Sequence, residues 1–318
     1  MTDTRELAAA APRGSFTIEP RGPFSLRSSI RFLEGFGPAS FGGADDDTGR
    51  LDLAFALEGS WRTIGASLDQ SPDGTVRGRL FAGKPLTRPE LSAARAQVER
   101  ILSLDVDGSG FEAVGELDPV VGELQLRYPG LRPVCFWSWY EAAAWSIIGQ
   151  RTRMTQAAEV KRRMAEELGV GVEINGVTHW AFPSPSVLSG LSGFPGLTGA
   201  KVERLRSLGE AARRGAFDSA SLRGMPRDEA FALLQELPGI GPFSAELILL
   251  RGAGDPDHAP VGMQRFAEAV EFAYRLPHRP GAEELTDLSE SWAPYRTWVT
   301  LLLRVEFDAH QKRVADAR

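Results

Sequence analysis

The stretch Leu237-Pro238-Gly239-Ile240-Gly241-Pro242-Phe243-Ser244-Ala245 constrains this chain more than any other. It joins two apolar helical runs, residues 228–237 and 243–251, and so predicts a helical hairpin with a turn of alternating glycines. Gly239 and Gly241 allow positive φ and a close approach that a Cβ would block. Backbone N–H groups in such a turn, and at the start of the following helix, can hold a phosphate. Pro242 suits the first helical position, where its missing N–H costs nothing. A plain helix–helix connection with terminal glycines is the other reading. The spacing, with small Ser244 opening an apolar helix, favours the phosphate site.

The rest of the chain excludes several classes. At 318 residues, 42% hydrophobic and 25% charged, it has the composition of a soluble globular protein with one large core or two modest ones. One cysteine, Cys135, allows no internal disulfide and no thiolate cluster, and reads as a small core residue. Four scattered histidines lack metal-ligand spacing, so no metal is expected. The charged N-terminus is not a signal peptide, and no apolar run is long enough to span a membrane. A cytoplasmic location is the expectation.

A net charge of −6 is awkward for a nucleic-acid partner, since phosphate contacts carry much of the affinity. The field that matters is local, however. Basic residues gather at Arg151, Arg153 and Lys161–Arg163, and again at Lys201, Arg204, Arg206, Arg213 and Arg214. Two solvated helix faces would produce the same pattern.

Short alternating runs at 16–19, 51–56, 61–68 and 76–81 read as strands, with helices over 25–33 and 88–102 and a loop over 42–49. Beyond them the periodicity is helical: 118–128, 139–148, 154–168, 184–191, 200–214, 227–237, 243–251, 264–274 and 285–308. The fold expected is α+β. Residues 1–13 are a disordered tail, 14–105 a small antiparallel sheet domain with helices, and 106–318 an all-α domain carrying the hairpin.

Four segments in order resemble the helix-hairpin-helix superfamily of base-excision DNA glycosylases, nearest its bacterial alkyladenine (3-methyladenine type II) branch. They are Tyr140–Gln150 with its terminal Gly-Gln turn, Phe194–Arg206, the hairpin at 237–250, and Trp292-Ala293-Pro294-Tyr295-Arg296-Thr297-Trp298. The resemblance implies a TBP-like N-terminal sheet domain and a monomer that binds damaged duplex DNA, flips a modified base and hydrolyses its N-glycosidic bond. It implies no organic cofactor, with a monovalent cation bridging hairpin carbonyls and a phosphate. Gly239, Ile240, Gly241 and Ser244 would then meet the DNA phosphate, with Lys201 and Arg204 as further backbone contacts. Gln150 and Arg151 match the wedge, and Arg151 alternatively contacts a phosphate.

Phe243, Leu247, Trp298 and Arg304 match positions lining the base pocket. Phe243 stands where bifunctional relatives carry a nucleophilic lysine, so lyase chemistry through a Schiff base is not expected. Trp137, Trp139, Tyr140 and Trp292 are further aromatic candidates, with core packing the commoner role for such residues.

One element departs from the family. A catalytic aspartate is expected about two dozen residues after the hairpin begins, just before the next helix, where its charge would stabilise an oxocarbenium-like sugar. That window, 259–265, holds no carboxylate. Leu247 and Arg304 also replace aromatic positions of the branch. Three readings stay open: catalysis by a displaced carboxylate, Asp257 first and Asp255 next; release of weakly attached lesions without one; and a non-catalytic protein that binds distorted DNA. A ligand-binding or structural protein unrelated to DNA would have to dismiss the hairpin.

Overall fold

The computed structural model describes residues 12–34, 44–45 and 49–316. Of the expected tail, residues 1–11 lie outside the described residues, while Pro12 and Arg13 already belong to the first strand. Five antiparallel strands, β1 (Pro12–Ile18), β2 (Ala44–Asp45), β3 (Arg50–Ala56), β4 (Thr63–Gln70) and β5 (Val76–Phe81), form a sheet in the order β1-β5-β4-β3-β2. Of the loop expected over 42–49, residues 44–45 pair as β2 with β3 and Gly49 is a turn; the others lie outside the described residues.

Alternation decides what covers the sheet. Leu51, Leu53 and Phe55 of β3, with Ile64, Ala66 and Leu68 of β4, pack under helices α1 (Leu26–Glu34) and α2 (Arg88–Ile101). Thr87 caps α2 in a reciprocal box with Glu90. The alternate positions are buried too, and this corrects the all-α reading of residues 106–318. Strands β6 (Val170–Ile174) and β7 (Val177–Ala181) form a hairpin whose Val172, Ile174 and Ala181 pack on Ala54 and Phe81. A side chain at Gly65 would meet Val172 at 2.8 Å, so that glycine lets the hairpin seat. The turn, Asn175-Gly176, has φ of +51° and +82°, as a type I′ connection requires.

The remaining elements are helical. α3 (Phe111–Leu117) and α4 (Pro119–Arg127) precede α5 (Trp139–Gly149) and α6 (Met154–Leu168). After the β6–β7 hairpin come α7 (Pro185–Ser189), α8 (Gly199–Arg213), α9 (Ser219–Gly224), α10 (Arg227–Gln235) and α11 (Pro242–Leu247). α11 runs on into a π-helical turn, Ile248–Ala253. Then come α12 (Gln264–Tyr274), α13 (Ala282–Glu290) and α14 (Arg296–Asp316).

α3 and α9 were not expected from periodicity, and the helix expected over 285–308 is two helices. Pro294 lies in the break, where it has no N–H to give an intrahelical bond. α5 is apolar around most of its circumference and is accordingly the buried axis of the helical region. Cys135 is buried, as its isolation in the sequence suggested.

Candidate nucleic-acid interface

The glycine turn lies at the surface. α10 ends at Gln235, Ile240 tucks into the core at 5% exposure, and Gly239 and Gly241 stay partly open on either side of it. Ile240 N–H donates to Leu237 O at 3.0 Å, which closes the bend. The N–H groups of Gly239 and Gly241 have no hydrogen-bond partner among the described residues. Gly239 has φ +88°, a conformation that requires glycine here. Pro242 opens α11 behind Gly241, as expected.

A second turn is fastened to this one. α5 ends at Gly149, and Gln150 Nε2 donates to Gly239 O at 2.6 Å. Gln150 Oε1 accepts from Arg204 Nη1 at 2.5 Å. Arg151 follows in the left-handed region, φ +51°, with its side chain exposed. Met154, the first residue of α6, is 60% exposed. The turn therefore presents a cation and an apolar side chain together. Met154 was overlooked because an apolar residue opening an amphipathic helix reads as core.

The basic clusters are corrected. Lys161 is buried in an ion pair with Glu141 at 2.7 Å. Arg162 bridges Glu159 and Glu166, and Arg163 pairs with Glu167 at helical spacing. Lys201, expected at a phosphate, is 7% exposed, and its ammonium donates to Ile148 O and Thr152 Oγ1, each at 2.7 Å. Burial, with help from neighbouring Arg204, pulls the Lys201 pKa down. Arg151 and Arg153 of the first cluster, and Arg206, Arg213 and Arg214 of the second, are exposed.

The base-pocket candidates separate. Phe243, at the start of α11, is 65% exposed; Leu247, one turn on, is partly buried. Trp298 is a core residue, packed on Phe111, Tyr295 and the Arg132 guanidinium, and is not brought to Phe243's exposed face. Trp137, Trp139, Tyr140 and Trp292 are likewise buried. Arg304 is partly buried, 3.6 Å from Asp308, and its Nε has no acceptor among the described residues. Burial lowers its pKa.

The carboxylates near the hairpin are engaged. Asp257 accepts from Arg296 Nη1 at 2.7 Å and from the Arg296 backbone at 3.3 Å. Asp255 accepts from Arg227 Nη1 at 2.6 Å and from Asp257 N–H at 3.0 Å. Glu246, one turn after Phe243, pairs with His258 Nε2 at 2.8 Å. Glu268 accepts from Gln264 and pairs with Arg279. Between them, α12 starts at Gln264 with Met263 in the capping position and no side-chain cap. A side chain added at the preceding Gly262 would meet open space. The place expected for an aspartate is thus formed as backbone, without the carboxylate.

No family model matches the chain. It is 24% identical over 208 residues to the DNA-3-methyladenine glycosylase of Bacillus subtilis, a match spanning 63% of this chain and 67% of that protein. It is 30% identical over 217 residues to the probable bifunctional transcriptional activator/DNA repair enzyme AlkA of Mycobacterium tuberculosis, spanning 66% of this chain but 42% of that protein. The fold matches the 3-methyladenine DNA-glycosylase from Archaeoglobus fulgidus at TM-score 0.74 and 20% identity, covering 91% of this chain and 97% of the other. These relatives and the shared fold support a likeness to the helix-hairpin-helix DNA glycosylase superfamily. Within it the likeness is to the alkyladenine branch. Among the described residues, no helix is long and apolar enough to cross a membrane.

Proposed function

We propose that the protein is a monofunctional DNA glycosylase of the alkyladenine type, which binds damaged duplex and hydrolyses the N-glycosidic bond of an everted, alkylated base. The observation that carries this reading is the pair of fastened turns. Two glycine N–H groups with no partner among the described residues stand beside an exposed cation on a turn tied to the same hairpin by Gln150. In this reading the hairpin amides grip a phosphate, and Arg151 enters the helix as the nucleotide leaves. A monovalent cation at the hairpin would take the second lone pair of the Leu237 and Gly239 carbonyls and supply positive charge to that phosphate.

Phe243 offers its exposed ring face to the everted base. An electron-rich ring attracts an alkylated, cationic purine through its quadrupole. Having no amine, it forms no Schiff base with the sugar, so the strand is left uncut. A base that already carries positive charge is a good leaving group, and this favours release of weakly attached lesions in a site whose carboxylates are engaged elsewhere.

A specific observation favours a second reading, that of a non-catalytic binder of distorted DNA. Asp255 and Asp257 are both held by arginines, and the position capping α12 is a methionine. One experiment separates the two. Duplexes carrying methylated, deaminated or oxidised bases are incubated with the protein and scored for free base and for strand cleavage. Free methylated base without cleavage supports the enzyme. Tight binding to abasic or mismatched duplex, with no base released from any substrate, supports the binder. No binding to any duplex defeats both.

A further inference from the structure

We infer that Lys201 and Arg204 are positioning residues, which lock the Arg151 turn to the glycine hairpin from beneath, and are not themselves phosphate contacts. The inference rests on the DNA-binding reading above for its purpose, but its geometry belongs to the free protein.

The two residues lie three apart on α8, hence on one face of the helix, and that face meets the underside of both turns. Lys201 reaches the C-terminal end of α5, where carbonyls have no intrahelical partner and the helix dipole is negative. Its ammonium takes Ile148 O and Thr152 Oγ1, and the Thr152 hydroxyl in turn donates to Gln150 O at 3.1 Å. The same residue thus holds both ends of the turn that displays Arg151. A non-glycine residue in the left-handed region persists only where its surroundings over-determine it, and these bonds supply that constraint at Arg151.

Arg204 completes the link. Its guanidinium donates to Gln150 Oε1, which orients the amide so that Nε2 faces Gly239 O. Its aliphatic stem lies so close under Gly239 that a Cβ there would sit 2.4 Å from Arg204 Cδ. The chain from α8 through Gln150 to Gly239 leaves neither end of the Gln150 amide unused. Two turns far apart in sequence are thereby fixed in one relative geometry before any ligand arrives. A group inserted into the DNA stack and a group gripping its phosphate must act at a fixed spacing, and preorganisation of that spacing lowers the ordering cost of binding.

The alternative, that these cations contact phosphates, makes a different quantitative prediction. Each phosphate contact adds about 0.9 to the slope of log affinity against log salt. The test uses the full chain and the variants Lys201→Met, Arg204→Met and Gln150→Leu. Amide hydrogen exchange is measured first, without DNA. Arg204→Met and Gln150→Leu should each speed exchange of the bonded amides of both turns together, Gln150 and Thr152 in one and Ile240 in the other, roughly tenfold, the worth of about one hydrogen bond. Exchange elsewhere should be unchanged, which also shows that the variants fold. Affinity for an abasic duplex is then titrated against salt. All three variants should bind roughly tenfold more weakly with the salt slope of the unaltered protein, and the Gln150→Leu/Arg204→Met double variant should bind no more weakly than the worse single one. Unchanged exchange in either turn, or a slope reduced by about one for each cation removed, overturns the inference. Failure of the unaltered protein to bind duplex would defeat the DNA-binding reading and leave the exchange result to judge the brace alone.

Discussion

The two fastened turns and the loop leading into α12 use their polar groups in opposite ways. At the turns, buried Lys201 and half-buried Arg204 and Gln150 hold other groups in place, while Arg151 is exposed and two glycine N–H groups have no partner among the described residues. In the loop, carboxylates and arginines neutralise one another, and the N-cap of α12 is Met263, with no side-chain cap. The hairpin side and the loop before α12 therefore commit their polar groups differently. Recognition by backbone groups survives changes in side chains, because it asks only for glycine and a constrained bend. A preorganised charge is lost with a single residue.

The sharpest way to break this contrast is to restore that charge. Met263→Asp places a carboxylate at the N-terminus of α12. There the side chain would cap free backbone N–H groups, contributing about 1 kcal/mol of stability. If the loop retains the geometry for hydrolysis, base release from methylated duplex should rise by about a hundredfold, the scale of one preorganised charged group. A raised melting temperature with unchanged release would show that a carboxylate at the start of α12 does not reach the reacting bond.

Gly239→Val attacks the opposite region. The φ of +88° is strongly disfavoured for a β-branched residue, and the new Cβ collides with Arg204. Both the bend and its link to Gln150 should fail, with duplex affinity falling tenfold or more, on a strain of about 1–3 kcal/mol. Fluorescence anisotropy with a labelled duplex measures this. Unaltered affinity would remove the hairpin from the interface. Phe243→Ala should come next in size. The ring is 65% exposed, so the melting temperature should hardly move. Lost base stacking, about 1–3 kcal/mol, should slow base release by roughly tenfold.

The same contrast governs what could be read from the sequence. The hairpin was legible because its requirement is local: glycines, a proline and two apolar runs. The brace was not, since whether Lys201 meets a phosphate or the end of α5 depends on where α8 lies, and the charge pattern is the same in both cases. The spacing of Lys201 and Arg204 was visible, but not the face it occupied. The β6–β7 hairpin is a different failure. Asn175-Gly176 flanked by Val172, Ile174 and Val177 is a strong local hairpin signal, overlooked within a region of helical periodicity. Among the base-pocket candidates, Phe243 and Trp298 are both aromatic matches to the resemblance, yet only burial tells a ring offered to solvent from one sealed in the core.

The smallest predicted effect separates the displaced-carboxylate reading from a structural one. Asp257 binds the Arg296 side chain and the backbone N–H of the first residue of α14, and so ties the loop to that helix. Both side chains are about one-third exposed, at 31% and 28%, so solvent screens the pair and its worth is below about 1 kcal/mol. Asp257→Asn keeps an oxygen that can accept from the backbone and removes only the charge. The melting temperature should fall by no more than about 4 °C. Base release should stay within about twofold of the unaltered protein, since a charge committed to Arg296 stabilises little developing positive charge on a sugar. If release instead disappears while folding and duplex affinity persist, Asp257 leaves Arg296 during turnover, and the loop is a working catalytic element.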